Sequence, residues 1–170
     1  MNVLSLKRMV ALWSCKRCGE CCRHLVGRKF GMALLPEEKQ RLEVLAQRRG
    51  VNLDLAPLTW NGYAVTLYQF TKPVCPFLDK HGRCSIYRWR PLACRMYPLH
   101  PYGVSDCVAL TQLQRRGFMV QFPPQLKQAA VKYMQLVVPR IKGCVKRYNL
   151  NHGWEKPYPF TFKSTYGPVR

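Results

Sequence analysis

Four cysteines stand close together near the start of the chain, in the pattern C-x2-C-x2-C-C formed by Cys15, Cys18, Cys21 and Cys22. A turn with two intervening residues brings two thiolates to one metal, and here that spacing repeats. Side chains of adjacent residues tend to diverge, so Cys21 and Cys22 either serve two centres or one of them lies beside the other's site. The run predicts a metal site.

Four further cysteines follow at wider spacing, namely Cys75, Cys84, Cys94 and Cys107. Together with the first run they supply eight thiols. That number suits two four-thiolate centres, or one iron–sulfur cluster with spare structural cysteines. The ninth cysteine, Cys144, stands alone in a helical pattern, and we predict that it is not a ligand.

The expected compartment favours metal ligation over disulfides. Lys7 and Arg8 interrupt the first apolar run, no small-x-small cleavage site follows, and no segment is apolar for long enough to span a membrane. We therefore expect an intracellular, cytoplasmic protein, in which cysteines bind metal more often than they pair.

The order of the motifs identifies a family resemblance. The first run is followed by C-P-F-L and then by C-x-I-Y-x-x-R-P-x-x-C-R-x-Y-P. Over roughly residues 13–110 this closely resembles the YkgJ-like cysteine-cluster proteins, described as zinc- or iron-chelating domains. The resemblance implies metal-site roles for Cys15, Cys18, Cys21, Cys22, Cys75, Cys84 and Cys94. The family usually has a further cysteine before Pro-Gly; Cys107 is the nearest counterpart, although Val108-Ala109 follows it.

Zinc and iron–sulfur chemistry are both open at this point. Closely spaced thiolates suit either metal. The C-x2-C-x2-C triplet resembles those that bind [4Fe–4S] clusters, whereas simple zinc knuckles use pairs of C-x2-C. A similar cluster in the flagellin lysine methylases resembles an iron–sulfur site. The cofactor expected is a [4Fe–4S] cluster or zinc, in one or two centres.

Three residues beside the cysteines are candidates for contacts to the bound sulfurs: Tyr87, Arg90 and Arg95. The alternative is that Arg90-Pro91 shapes a turn and that Arg95 faces solvent or a phosphate. The four histidines are scattered and are expected to be surface or hydrogen-bonded residues rather than ligands.

Few regular elements are available to position these cysteines. A helix is predicted between Pro36 and Gly50, because a proline and two acids suit the first turn of a helix and a glycine suits its end. Alternation predicts a strand over 62–71, and Asp79-Lys80-His81-Gly82 predicts a turn. Apolar residues at spacings of three and four predict an amphipathic helix over 124–148, kinked at Pro139. The expected fold is α+β: a small, metal-stapled core of short helices and a few strands, with an extended basic C-terminal arm.

Charge defines the second candidate site. The formal net charge is +20, and residues 107–170 contain eleven Lys or Arg against one acid, Glu155. Such an excess favours a polyanionic partner, and interleaved aromatic residues stack on unpaired bases. The predicted RNA-binding residues are Arg115, Arg116, Lys127, Lys132, Lys142, Lys146, Arg147, Trp154, Lys156, Tyr158, Phe160, Lys163 and Arg170.

These features predict three segments: a cysteine-cluster metal-binding domain at 1–110, a basic amphipathic helical segment at 111–150, and an extended basic, aromatic tail at 151–170. The predicted function is a metal-stabilised RNA-binding protein of the ribosomal or ribosome-associated kind, with rRNA and ribosomal proteins as partners. The alternative is an iron–sulfur redox or protein-methylation-associated enzyme of the cysteine-cluster family. No nucleotide-binding or hydrolase motif is present and no small-molecule substrate is indicated, so we predict no catalytic residues.

Overall fold

The chain folds into a mixture of short helices and strands, which confirms the predicted α+β class. The computed structural model describes residues 9–25, 32–60, 62–100, 103–105 and 107–152. The helices in this part of the chain are α1 (Pro36–Arg49), α2 (Leu92–Met96), α3 (Val108–Arg115), α4 (Pro124–Leu136) and α5 (Val138–Asn151). The strands are β1 (Val10–Leu12), β2 (Leu55–Trp60), β3 (Tyr63–Phe70), β4 (Leu99–His100), β5 (Gly103–Val104) and β6 (Met119–Gln121).

Helix α1 confirms the prediction from Pro36 to Gly50. Pro36 occupies the first turn, and Gly50 ends the helix with φ 61°, in the left-handed region that glycine adopts without strain. Leu42 and Ala46 are buried, as expected of a one-sided helix. Glu38 is also buried, which the charge pattern did not predict.

The predicted strand over 62–71 is β3, and it pairs antiparallel with β2. The sequence did not indicate β2, because Pro57 cannot donate a ladder hydrogen bond and argues against a strand. Here the proline is tolerated because each strand of a two-stranded hairpin is an edge strand. The register of the pairing also shifts between Pro57 and Thr59.

The predicted long helix is two helices rather than one kinked helix. Helix α4 ends at Leu136, Val137 is fully buried at the junction, and Pro139 lies in the first turn of α5. A proline lacks the N–H that a helix interior needs, so the chain restarts the helix there. The apolar stripe still faces inward, with Leu126, Ala130 and Val145 buried.

Among the described residues the strands form three two-stranded sheets, joined by two hydrophobic clusters. One cluster connects Trp13 and Leu92 to α4 through Leu126 and Tyr133. The other lies beneath α1 and β3 and contains Leu42 and Phe77. The helical segment at 111–150 therefore shares its core with the cysteine-bearing part. No helix within the described ranges is both long and apolar enough to cross a membrane.

Candidate metal centre

The structure brings the eight predicted cysteines together around one cavity of about 70 Å³. They come from the loop after β1, from the segment between β3 and α2, from α2 itself, and from the residue that precedes α3. The cavity-lining cysteines are Cys15, Cys18, Cys21, Cys22, Cys75, Cys84, Cys94 and Cys107. Cys144 lies elsewhere, fully buried in α5, with its thiol 3.7 Å from the carbonyl oxygen of Tyr63.

A tight turn shapes the first cysteine run. Gly19 adopts φ 74° and precedes a single 3-10 turn over Glu20–Cys22, which is closed by the Cys22 N–H donating to the Gly19 carbonyl at 2.9 Å. This curvature places the Cys21 and Cys22 sulfurs 3.9 Å apart. The expectation that these side chains diverge is therefore wrong, because the turn compresses the backbone between them.

The second cysteine segment docks directly on this turn. The Cys75 N–H donates to the Cys22 carbonyl at 2.7 Å, so the two cysteine-bearing loops share a backbone hydrogen bond. The predicted turn at 79–82 is present, and the Asp79 carboxylate accepts the N–H groups of His81 and Arg83. That turn returns the chain so that Leu78 and Cys84 form an isolated antiparallel bridge.

A buried carboxylate holds Cys94 in place through α2. One Glu38 oxygen accepts the Leu35 N–H at 3.0 Å and the other accepts the Leu92 N–H at 2.6 Å. The first bond caps α1, and the second joins the start of α2 to α1. Because Cys94 follows Leu92 by two residues, Glu38 fixes where that thiol meets the cavity.

The thiols are close enough to perturb one another. A hydrogen bond with Cys21 lowers the pKa of Cys22, but a hydrogen bond with Cys75, burial, and the negative charge that Cys75 and Cys84 would carry raise it to about 12. Crowded thiols of this kind resist ionisation until a cation compensates the charge.

Burial also raises the pKa of the Cys84 thiol, and it raises that of Cys94 well above the usual value. For Cys94 the neighbouring Cys22 and Cys21 add to the effect. Arg90 opposes it at both Cys84 and Cys94, which places one positive charge within electrostatic reach of the thiols.

Tyr87 and Arg90 line the cavity beside the thiols, as their positions next to the cysteines in the sequence predict. The Arg90 guanidinium lies 3.6 Å from the centre of the Tyr87 ring and its Nε donates to the Tyr87 carbonyl. A second guanidinium, that of Arg17, lies 4.1 Å from the same ring. Arg95 is exposed on α2 and is not a lining residue.

The donor set fits a metal. Two thiolates on one tetrahedral zinc are about 3.8 Å apart, given zinc–sulfur bonds of about 2.3 Å, and the Cys21 and Cys22 sulfurs already match this separation. In the described part of the chain no three Cys, His, Asp or Glu side chains converge at coordination distance, so binding would draw thiols inward. Neither His24 nor His81 is a lining residue.

The predicted RNA-binding residues on α3, α4 and α5, and at the residue that follows α3, are exposed. They are Arg115, Arg116, Lys127, Lys132, Lys142, Lys146 and Arg147. Arg147 also donates to the Ala64 carbonyl at 3.3 Å. The predicted tail residues, Trp154, Lys156, Tyr158, Phe160, Lys163 and Arg170, lie outside the described residues.

Sequence reasoning missed three residues at this site. Arg17 and Trp13 line the cavity, and Glu38 positions α2. The closeness of Trp13 and Arg17 to the first cysteine run was the available signal. Glu38 gave a weaker signal, since an acid three residues after the N-cap position is typical of a capping box.

Comparison with known proteins identifies the family. Residues 14–121 match the family CxxCxxCC, whose description is "Putative zinc- or iron-chelating domain". The match covers more than half of the chain and includes all eight cavity cysteines, so the chain belongs to this family, and the predicted resemblance is confirmed. No curated protein and no solved structure matches the chain.

Proposed function

We propose that this zinc- or iron-chelating domain binds its metal in the thiol cavity, in one or two centres, and that the metal is structural. The observation that carries the proposal is that eight of the nine cysteines, from distant parts of the chain, line one cavity. A structural metal contributes its binding free energy to folding. Its role is to hold together loops that short strands and single turns could not fix alone.

Purification of the full chain without oxygen tests which metal is bound. A [4Fe–4S] cluster gives brown protein whose broad visible absorbance is bleached by dithionite. Colourless protein with stoichiometric zinc selects the zinc centre. Folded protein that retains neither metal, even after reconstitution with each, contradicts the proposal.

Cys84→Ala and Cys144→Ala form a matched pair for this test. Both remove one thiol, but only Cys84 lines the cavity. We expect Cys84→Ala to lose metal and stability, and Cys144→Ala to retain a full complement of metal.

We further propose that the basic C-terminal third binds RNA, of the structured kind found in ribosomes. Residues 107–152 contain eight Lys or Arg and no Asp or Glu. Lys127 and Lys132 are exposed on α4, whereas Leu126, Ala130 and Tyr133 pack into the core. A basic segment that contains no acidic residue attracts phosphates electrostatically, which supports this partner over a neutral ligand.

Salt dependence measures this binding. If about six phosphates are engaged, log K falls against log salt with a slope of about −4 to −5. The double variant Lys127→Gln/Lys132→Gln should reduce that slope by about 1.5, since each lost phosphate contact removes about 0.7–0.9. Lys72→Gln/Lys80→Gln removes the same charge from exposed positions outside this region and should leave the slope unchanged.

The aromatic tail adds a second arm to the experiment. Replacing Trp154, Tyr158 and Phe160 by Ala leaves the charge intact and removes stacking surfaces, so it should weaken binding to unpaired bases more than to plain duplex. Salt-insensitive binding that is the same for all variants contradicts the RNA proposal. An iron-loaded protein with reversible bleaching and no RNA affinity would instead support the redox or methylation-associated alternative.

A further inference from the structure

Trp13 carries a buried polar group that has no hydrogen-bond partner among the described residues. Its side chain is only 5% exposed, and its indole Nε1 is fully shielded from solvent. A buried donor without an acceptor is costly, so such groups in folded proteins generally point to a role or to a missing ligand.

The indole lies at the thiol cavity. Trp13 is one of the lining residues, and Cys15 and Cys107 pack against the hydrophobic cluster that contains it. A thiol sulfur is a weak acceptor, but a thiolate carries charge and accepts N–H groups more strongly. A metal-bound cysteine sulfur would therefore give this indole the acceptor that it lacks.

Two contacts hold Trp13 in place. The Trp13 N–H donates to the Gln121 carbonyl at 2.7 Å, which continues the pairing of β1 with β6. The indole packs against the Phe122 ring with a centroid separation of 6.2 Å. A donor fixed in this way pays little entropy when a partner arrives.

We propose that the Trp13 indole N–H donates a hydrogen bond to a metal-bound thiolate sulfur of Cys15 or Cys107, the two cavity cysteines that pack against its hydrophobic cluster. This inference depends on the proposed metal site, and it makes Trp13 a positioning residue for that site. A backbone group already makes a contact of this kind, since the Arg17 N–H donates to the Cys15 sulfur at 3.4 Å. Groups that hydrogen-bond to ligands adjust the affinity for the metal.

The full chain loaded with an NMR-active cadmium isotope provides the test. Scalar coupling passes from the metal through a bound sulfur to a hydrogen-bonded proton. We expect proton–cadmium cross-peaks from cysteine β-protons and, in addition, one from an indole N–H. That indole peak should be absent in Trp13→Phe and present in Trp89→Phe, which changes an exposed tryptophan outside the cavity lining.

The outcomes separate the two proposals. Cysteine cross-peaks without any indole cross-peak would overturn the role of Trp13 and leave the metal site intact. Protein that binds cadmium but shows no cross-peak at all would overturn both, because neither the cysteines nor the indole would then contact the metal. If Trp13→Phe does not fold, the indole peak in the wild-type spectrum is assigned through its contacts with the Phe122 ring. Where it folds, its zinc affinity should fall about tenfold in chelator competition, with no change in Trp89→Phe.

Discussion

Replacing Gly19 by Ala should separate the two cysteine-bearing loops. A methyl group built on Gly19 would collide with the carbonyl oxygen of Gly82 and lie 2.8 Å from Leu78 Cδ1. The first of these is a backbone atom, so the loops themselves would have to move. Gly19 also has φ 74°, a conformation that L-residues adopt only with strain.

The expected cost comes from two sources. The left-handed conformation costs an alanine about 1–2 kcal/mol. Forced displacement of packed atoms adds about 1–3 kcal/mol. The variant should therefore lose about 2–5 kcal/mol of unfolding free energy. It should also bind metal more weakly, since Cys18 and Cys21 lie within two residues of the change.

Two other glycines give matched controls. Gly50 has φ 61° but open space around a new methyl group, so Gly50→Ala should show the strain alone, about 1–2 kcal/mol. Gly143 lies in α5, where an added methyl group would meet no atom beyond its own stretch of helix within 4 Å, and Gly143→Ala should stabilise the helix by about 0.5–1 kcal/mol. Urea unfolding at one fixed excess of metal compares all three. Equal losses for Gly19→Ala and Gly50→Ala, with unchanged metal content, would refute the loop contact as the reason.

Three further outcomes are expected. Glu38→Gln should cost about 1.5–3 kcal/mol, because it weakens two buried charge-assisted bonds, whereas exposed Glu37→Gln should cost less than about 1 kcal/mol in the same urea assay. Cys144→Ala should cost only about 1 kcal/mol, as for a small buried apolar group, and loss of one metal equivalent would instead make it a ligand. Zinc affinity should rise by about tenfold per pH unit for each thiol proton that the metal displaces, because Cys22, Cys84 and Cys94 have raised pKa values. Chelator competition between pH values of about 6 and 8 measures this dependence, and an affinity independent of pH would contradict it.

The sequence was informative where a local rule decides the outcome. Pro36 and Gly50 mark the ends of α1 because helix termini are chosen by local backbone geometry. The cysteine motifs indicated which thiols belong together, because short spacers limit where those side chains can reach. The separation of Cys144 from the cavity followed from its lone position in a helical pattern.

The remainder depends on contacts between distant segments. Glu38 is buried because it accepts an N–H from Leu92, 54 residues away, and no local pattern contains that partner. Strand β2 contains Pro57, which argues against a strand in the sequence alone and is tolerated only because β2 pairs with a single partner strand. Trp13 acquires its place beside the thiols only when β1 pairs with β6 near the other end of the domain.

X-ray absorption at the metal edge of the full-length, metal-loaded protein tests the central claim most directly. Cysteine ligation in the cavity predicts a first shell made only of sulfur, at about 2.3 Å for either tetrahedral zinc or thiolate-bound iron. The Cys144→Ala protein should give the same spectrum. A first shell containing nitrogen or oxygen at about 2.0–2.1 Å would show that other side chains bind the metal, and would contradict the assignment of the eight thiols.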